Sequence, residues 1–301
     1  MRRRHWLALF AVGTTSLASG YWFGLPLLTR IGAGEDPSSS IRWSPSERAR
    51  LTPILAAESS SRPWEMADLL RRLNATTSPA GGTPLLEARA AIAARSHAEA
   101  EIRLLRTRRE GTADAGEIAF LRASNFCAQR RYDDMRASLD DAIAADPMRA
   151  EFHFARGEVD RRQGRPNDAM EGYARAIERA KPGRVPTRET IAFRRRLLLI
   201  QSGHESEIGI AEVEAALALP SPSGDWLLTA AAMAIHRQDL ADAARWMQRA
   251  RTVMPLPLYL DRVDDFAFRK HISQSELKAL FPTRQERARF HEISRPIFVD
   301  P

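Results

Sequence analysis

The chain repeats itself at a fixed interval, and no other feature restricts its possible folds as much. Ala123 and Gly157, Asp134 and Asp168, Leu139 and Tyr173, and Ala142 and Ala176 are each 34 residues apart. Moving on 74 more, Gly157 falls on Ala231, Asp168 on Asp242, Ala169 on Ala243, Tyr173 on Met247 and Ala176 on Ala250. Seventy-four is two periods plus a few inserted residues, which the loop from Pro182 to Pro186 can absorb. Pro147, Pro182 and Pro255 close three of the units. A period of this length implies supersecondary units that cannot bury their apolar faces alone and do so by stacking. The units are helical: hydrophobic residues make up 44% of the chain but aromatics only 7%, and no long Val/Ile/Thr run with period two suggests a strand.

These residues resemble the tetratricopeptide repeat. In that family a small residue near position 8, Ala near 20, a large apolar residue near 24, Ala near 27 and Pro near 32 recur every 34 residues. Residues 150–182 and 224–255 carry the pattern best, 116–147 carries it fairly, and the unit around 189–220 is degenerate, with Gly203 marking its inter-helix turn. Met135 stands where Ala is expected in the first unit, and Lys181 takes the expected Pro place in the second. The resemblance implies about four helix pairs over 115–255. They form a solenoid with a right-handed superhelical twist, in which small residues let paired helices approach and large ones fill the groove between pairs.

The repeats are expected to follow a membrane anchor. Met1 to His5 is a basic start, and Trp6 to Leu28 is 23 uncharged residues, enough to cross about 30 Å of hydrocarbon as a helix. Trp6 near one end and Tyr21 with Trp22 near the other form an aromatic belt, and Arg2 to Arg4 outweigh Arg30, which keeps the N-terminus cytoplasmic. A cleaved signal peptide ending near Ala18 is the competing reading, and it too exports the body; a buried core helix is the third. Residues 29–43 form a linker containing the Gly/Pro/Ser run Gly32 to Ser40, and residues 44–112 an N-terminal helical region. That region has a capping box at Ser44 and Glu47, a helix over 63–74, and one long helix from Thr83 to about Arg109. Residues 256–301 are read as capping elements, including a helix over Leu258 to Arg269, followed by an extended tail.

Composition and motifs argue against chemistry. The net charge of +7 owes three charges to Arg2, Arg3 and Arg4, and elsewhere Arg alternates with Glu and Asp at helical spacing, so nucleic-acid binding is not favoured. Lys appears only at 181, 270 and 278, the Arg-for-Lys, Ala-rich usage of a GC-rich bacterial genome. Cys127 stands alone, which excludes an internal disulfide and CxxC sites. The seven histidines offer no HxxxH pair, and neither a GxSxG elbow nor a P-loop is present. No cofactor, no metal and no enzymatic activity are expected.

The repeat resemblance places the functional surface on the inner face of the first helix of each pair, where such folds receive an extended peptide or a helix. On this chain the inner positions include Phe120, Phe154, Glu158, Arg161, Arg162, Arg194 and His236. Phe would fill pockets and Arg would pair with carboxylates of an apolar-acidic partner; the plainer alternative makes the Phe residues inter-helix core and the Arg residues solvated. The expected function is a scaffold or chaperone-like holder of envelope proteins on the exported side of a bacterial inner membrane. The alternatives are an accessory part of an enzyme or export complex and, less favoured, a nucleic-acid-binding repeat protein.

Overall fold

The computed structural model describes residues 83–283 apart from 112, 183–185, 264, 272, 273 and 282, together with residue 49. The anchor, the linker, the helices expected before Thr83 and the tail beyond 283 lie outside these residues. Among the described residues there are 13 α-helices, one 3-10 helix and no strand, so the all-α expectation holds there. No described helix is long and apolar enough to cross a membrane.

One local device recurs along the chain. Helices α1 (Thr83–Ala93) and α2 (His97–Glu110) are separated by a three-residue turn, and so are α3 (Ala115–Ala128) and α4 (Tyr132–Ala145). The same step joins α5 (Ala150–Arg162) to α6 (Pro166–Arg179), and α9 (Gly224–His236) to α10 (Leu240–Val253). After α7 (Arg188–Gln201) it leads into the 3-10 helix η1 (Glu205–Ile208) and then α8 (Ile210–Leu217). The central residue of every turn is left-handed: Arg95, Arg130, Gly164, Gly203 and Gln238, with φ of 58, 60, 70, 75 and 64°. In each turn the following N–H donates back across the turn to a helix carbonyl: Ser96 to Ala91, Arg131 to Phe126, Arg165 to Asp160, His204 to Leu199 and Asp239 to Ala234. These bonds satisfy carbonyls that a helix end leaves open and reverse the chain in three residues.

The first of these turns corrects the expectation of a single long helix over 83–109. Ala94, Arg95 and Ser96 contain neither Gly nor Pro, but Arg95 adopts positive φ and splits the segment into a hairpin. Between α6 and α7 the connection spans 180–187, against 146–149 between α4 and α5, so the inserted residues of the longer interval fall there.

The repeated apolar and small positions within the helices are buried, whereas the repeated Asp134, Asp168 and Asp242 are not. Leu139, Tyr173 and Met247 are fully buried, as are Met135, Ala169 and Ala243, and Ala142, Ala176 and Ala250. Ala123, Gly157 and Ala231 are buried as well. The 34-residue interval is therefore a packing interval.

The described residues fall into two compact units, one ending at Val159 and the other running from Asp160. In the first unit α1 packs on α2 and α3 on α4, with Leu86, Leu104, Phe120, Leu139 and Phe152 at or below 1% exposure. Asp114 caps α3, accepting from the N–H groups of Gly116 at 2.8 Å and Glu117 at 3.1 Å. A Cβ at Gly116 would stand 3.1 Å from Phe152 Cε2 and 2.9 Å from the capping oxygen, so the start of α3 passes its neighbours at glycine distance.

In the second unit α7, α9 and α10 share one core with the chain's C-terminal elements, α11 (Leu256–Val263), α12 (Phe266–Arg269) and α13 (Ser275–Lys278). The single capping helix expected over 258–269 is thus two helices, with Asp265 as N-cap of the second, accepting from the Ala267 N–H at 3.1 Å. Tyr259 and Phe268 are fully buried, and the Tyr259 hydroxyl donates to the Leu280 carbonyl at 3.0 Å. Burial pushes the Tyr259 hydroxyl pKa far upward, a shift that nearby Arg251 only partly opposes.

Candidate functional site

Each unit holds part of the expected inner surface. Three of the seven residues named from sequence lie in the first unit, and all are covered: Phe120 is 1%, Phe154 0% and Glu158 2% exposed. Phe120 stacks on Phe152 at 5.1 Å between ring centroids, tilted by 34°. Both phenylalanines pack in the interior, where an aromatic contributes through buried area and ring contact.

The other four lie in the second unit. Arg162 is half-buried and His236 is exposed, with its Nδ1 3.1 Å from Glu205 Oε1. Arg237 approaches the same carboxylate at 3.1 Å, so the end of α9 is tied to η1. Arg161 and Arg194 are brought together, and the group between them is a carboxylate of this chain. Arg194 Nη1 donates to Asp265 Oδ2, and Arg161 Nη2 lies 3.9 Å from the same oxygen. Gln201 Nε2 donates to Asp265 Oδ1 at 3.2 Å. Asp265 is 1% exposed and Arg194 3%.

A second buried contact follows the same direction. Arg262 on α11 donates from Nε to Asp225 Oδ1 at 2.9 Å and from Nη2 to Thr190 Oγ1 at 2.9 Å, with its guanidinium 5.2 Å from the Phe193 ring centroid. Arg196 lies 3.9 Å over the Trp226 ring and donates to Thr229 Oγ1 at 3.1 Å; burial lowers its pKa, with Asp225 and Glu212 opposing. Helix α7 thus presents Arg194, Gln201 and Thr190, and α9 presents Asp225, to the segment 256–269, with Arg161 of α5 beside them, and that segment supplies the complementary groups.

The sequence reasoning found Arg161 and Arg194 but missed Asp265, Gln201, Arg262 and Asp225. Asp264-Asp265 interrupts the apolar pattern of 258–269 and marks an N-cap, which is the one signal that could have drawn attention to Asp265. Chemically the arrangement suits recognition of a carboxylate, with planar guanidinium and amide donors fixing its orientation. Among the described residues no three His, Cys, Asp or Glu side chains gather closely enough to hold a metal ion. Cys127 is buried and forms no disulfide.

No protein-family model matches the chain, and no curated protein is significantly similar to it.

Proposed function

We propose that the chain is a tetratricopeptide-type scaffold, anchored in a bacterial inner membrane by residues 6–28, with its body on the exported side, where it holds segments of other envelope proteins. The observation that carries this reading is the coincidence of two periods. Leu139 and Tyr173, and Ala142 and Ala176, each 34 apart in sequence, are fully buried large and small positions on the second helices of successive pairs, and a left-handed turn follows the first helix of each pair. Such packing supports a stack of helix pairs, whose use in a solenoid is to display an extended inner face. The Asp265 carboxylate, held by Arg194 of α7 with Arg161 nearby, supports the choice of ligand: an acidic segment with apolar neighbours, bound by charge-assisted hydrogen bonds and buried aromatics. Anchoring keeps the inner face at high local concentration near other envelope proteins, so weak contacts suffice.

Site-specific photocrosslinking in intact cells tests the proposal. A crosslinking side chain at position 162 or 236, the two expected inner positions that are neither buried nor beside Asp265, should yield a discrete adduct with an envelope protein, and the same side chain at Arg245 on α10 should not. Adducts equally frequent at all three positions, or at none, reject the inner face as the binding surface.

A further inference from the structure

We propose that residues 256–269 are an internal ligand: they occupy the inner face of the second unit, and the partner that displaces them carries the same recognition pattern, a buried aliphatic residue, a carboxylate two residues later and an aromatic three beyond that. The pattern is read from Val263, Asp265 and Phe268, which are 1%, 1% and 0% exposed. This inference rests on the scaffold reading and names the class of segment the scaffold takes.

Three observations distinguish this segment from an ordinary terminal cap. Its register is fixed by polar contacts. Asp265 alone receives Arg194, Gln201 and the Ala267 N–H, with Arg161 close by, and Arg262 grips Asp225 and Thr190. A cap that only has to cover an apolar face needs no such set of contacts, whereas a ligand needs them to fix its orientation. The two helices are short, eight and four residues, so they have little helical stability of their own and hold their shape because they are seated. The residues that follow sit at a polar cost. Both ring nitrogens of His271 and the Oε1 of Gln274 are buried short of hydrogen-bond geometry, with the Gln274 side chain near enough to His271 only to oppose burial in part, and release to water would satisfy them.

Simple opening is opposed by the burial of Tyr259 and Phe268, so the face stays closed by default. Exchange is different. An incoming segment of matching pattern refills the aromatic and aliphatic seats and returns a carboxylate to Arg194 and Arg161, so the apolar term largely cancels. The face would therefore accept acidic-aromatic segments and reject the basic or purely apolar ones it meets on the way.

The test uses the full-length protein in detergent micelles and a fluorescent peptide with the sequence of residues 256–271. Asp265→Asn keeps the helix cap but removes the charge that holds the segment to Arg194. It should bind the peptide at least tenfold more tightly than the wild type does, and the amides of 256–271 should exchange faster while α3 and α4 keep their protection. Saturating peptide added to the wild-type protein should likewise strip protection from its own 256–271. A peptide carrying Asn at the Asp265 position should bind at least tenfold more weakly. Equal peptide affinity for both proteins, or undiminished protection of 256–271 under saturating peptide, overturns the internal-ligand proposal and makes the segment a permanent cap. Should Asp265→Asn fail to fold, the wild-type titration decides alone. Photocrosslinks to an envelope partner at 162 and 236 with no peptide exchange would leave the scaffold reading standing and remove only this inference.

Discussion

The two units each bury a carboxylate among arginines, but they reach it from different distances along the chain. In the first unit Glu117, 3% exposed, lies 2.5 Å from Arg89 and 3.0 Å from Arg149, partners 28 and 32 residues away. Those separations are close to one repeat, so the centre staples neighbouring hairpins together. In the second unit Asp265 takes Arg194 and Gln201 from 71 and 64 residues back, which brings the end of the chain onto helices that precede it by about two repeats. The electrostatics are alike and the architecture is not. A carboxylate bound within the repeat ladder is part of the scaffold, while one delivered by a returning segment occupies a seat that another carboxylate can take.

The largest effect should come from breaking the first centre. Burial raises the Glu117 pKa, but Arg89 and Arg149 outweigh it and hold the carboxyl below its ordinary value. Glu117→Ala leaves two arginines facing a buried hole and should cost about 3–5 kcal/mol of unfolding free energy in urea titrations. Asp265→Asn should be milder and local. The opening free energy of 256–271 read from hydrogen exchange falls by about 2–3 kcal/mol, with the first unit unchanged. A global loss as large as that of Glu117→Ala would make the two centres equivalent and erase the distinction.

The turns give a smaller contrast. Gly164→Ala, at φ 70°, should lower stability by about 1 kcal/mol, whereas Arg130→Gly, which relieves a side chain from φ 60°, should shift the thermal midpoint slightly upward.

Acid should separate the units with the smallest energies. The His271 pKa is lowered, first by burial and then by Lys270, against a raising contact from Gln274. The unfolded imidazole therefore binds a proton more readily than the folded one, so stability present above the ordinary value of 6.5 is lost as pH falls below it. For Glu117 the folded pKa also lies below the ordinary 4.5, and its contribution is present above that value and lost on further acidification. Exchange protection of 266–271 should thus weaken near pH 6, before the first unit responds near pH 4, and His271→Leu should abolish the earlier step.

Much of the helical plan was legible because it is periodic. The 34-residue interval and the 74-residue one that follows it locate the buried Ala142, Ala176 and Ala250, and Gly203 announces its turn by residue type. The break at Arg95 was not legible. Three residues that all tolerate a helix carry the turn, and what selects it is the packing of α1 on α2, a tertiary cause. The inner-face arginines could be named from repeat register, but their partner could not. Nothing local to Arg194 points 71 residues ahead, and Asp265 reads on its own as a helix cap. Phe120 and Phe154 fit the register of an inner surface and also that of a core, a distinction only burial resolves.

The most direct test of the account is hydrogen exchange on the full-length protein, alone and with the envelope partner isolated through the 162 and 236 crosslinks. Added protection over 190–201 and 225–236 with faster exchange over 256–271 is the result a scaffold with an occupied, exchangeable inner face requires. Protection confined to α6 and α10, with 256–271 unchanged, would contradict it.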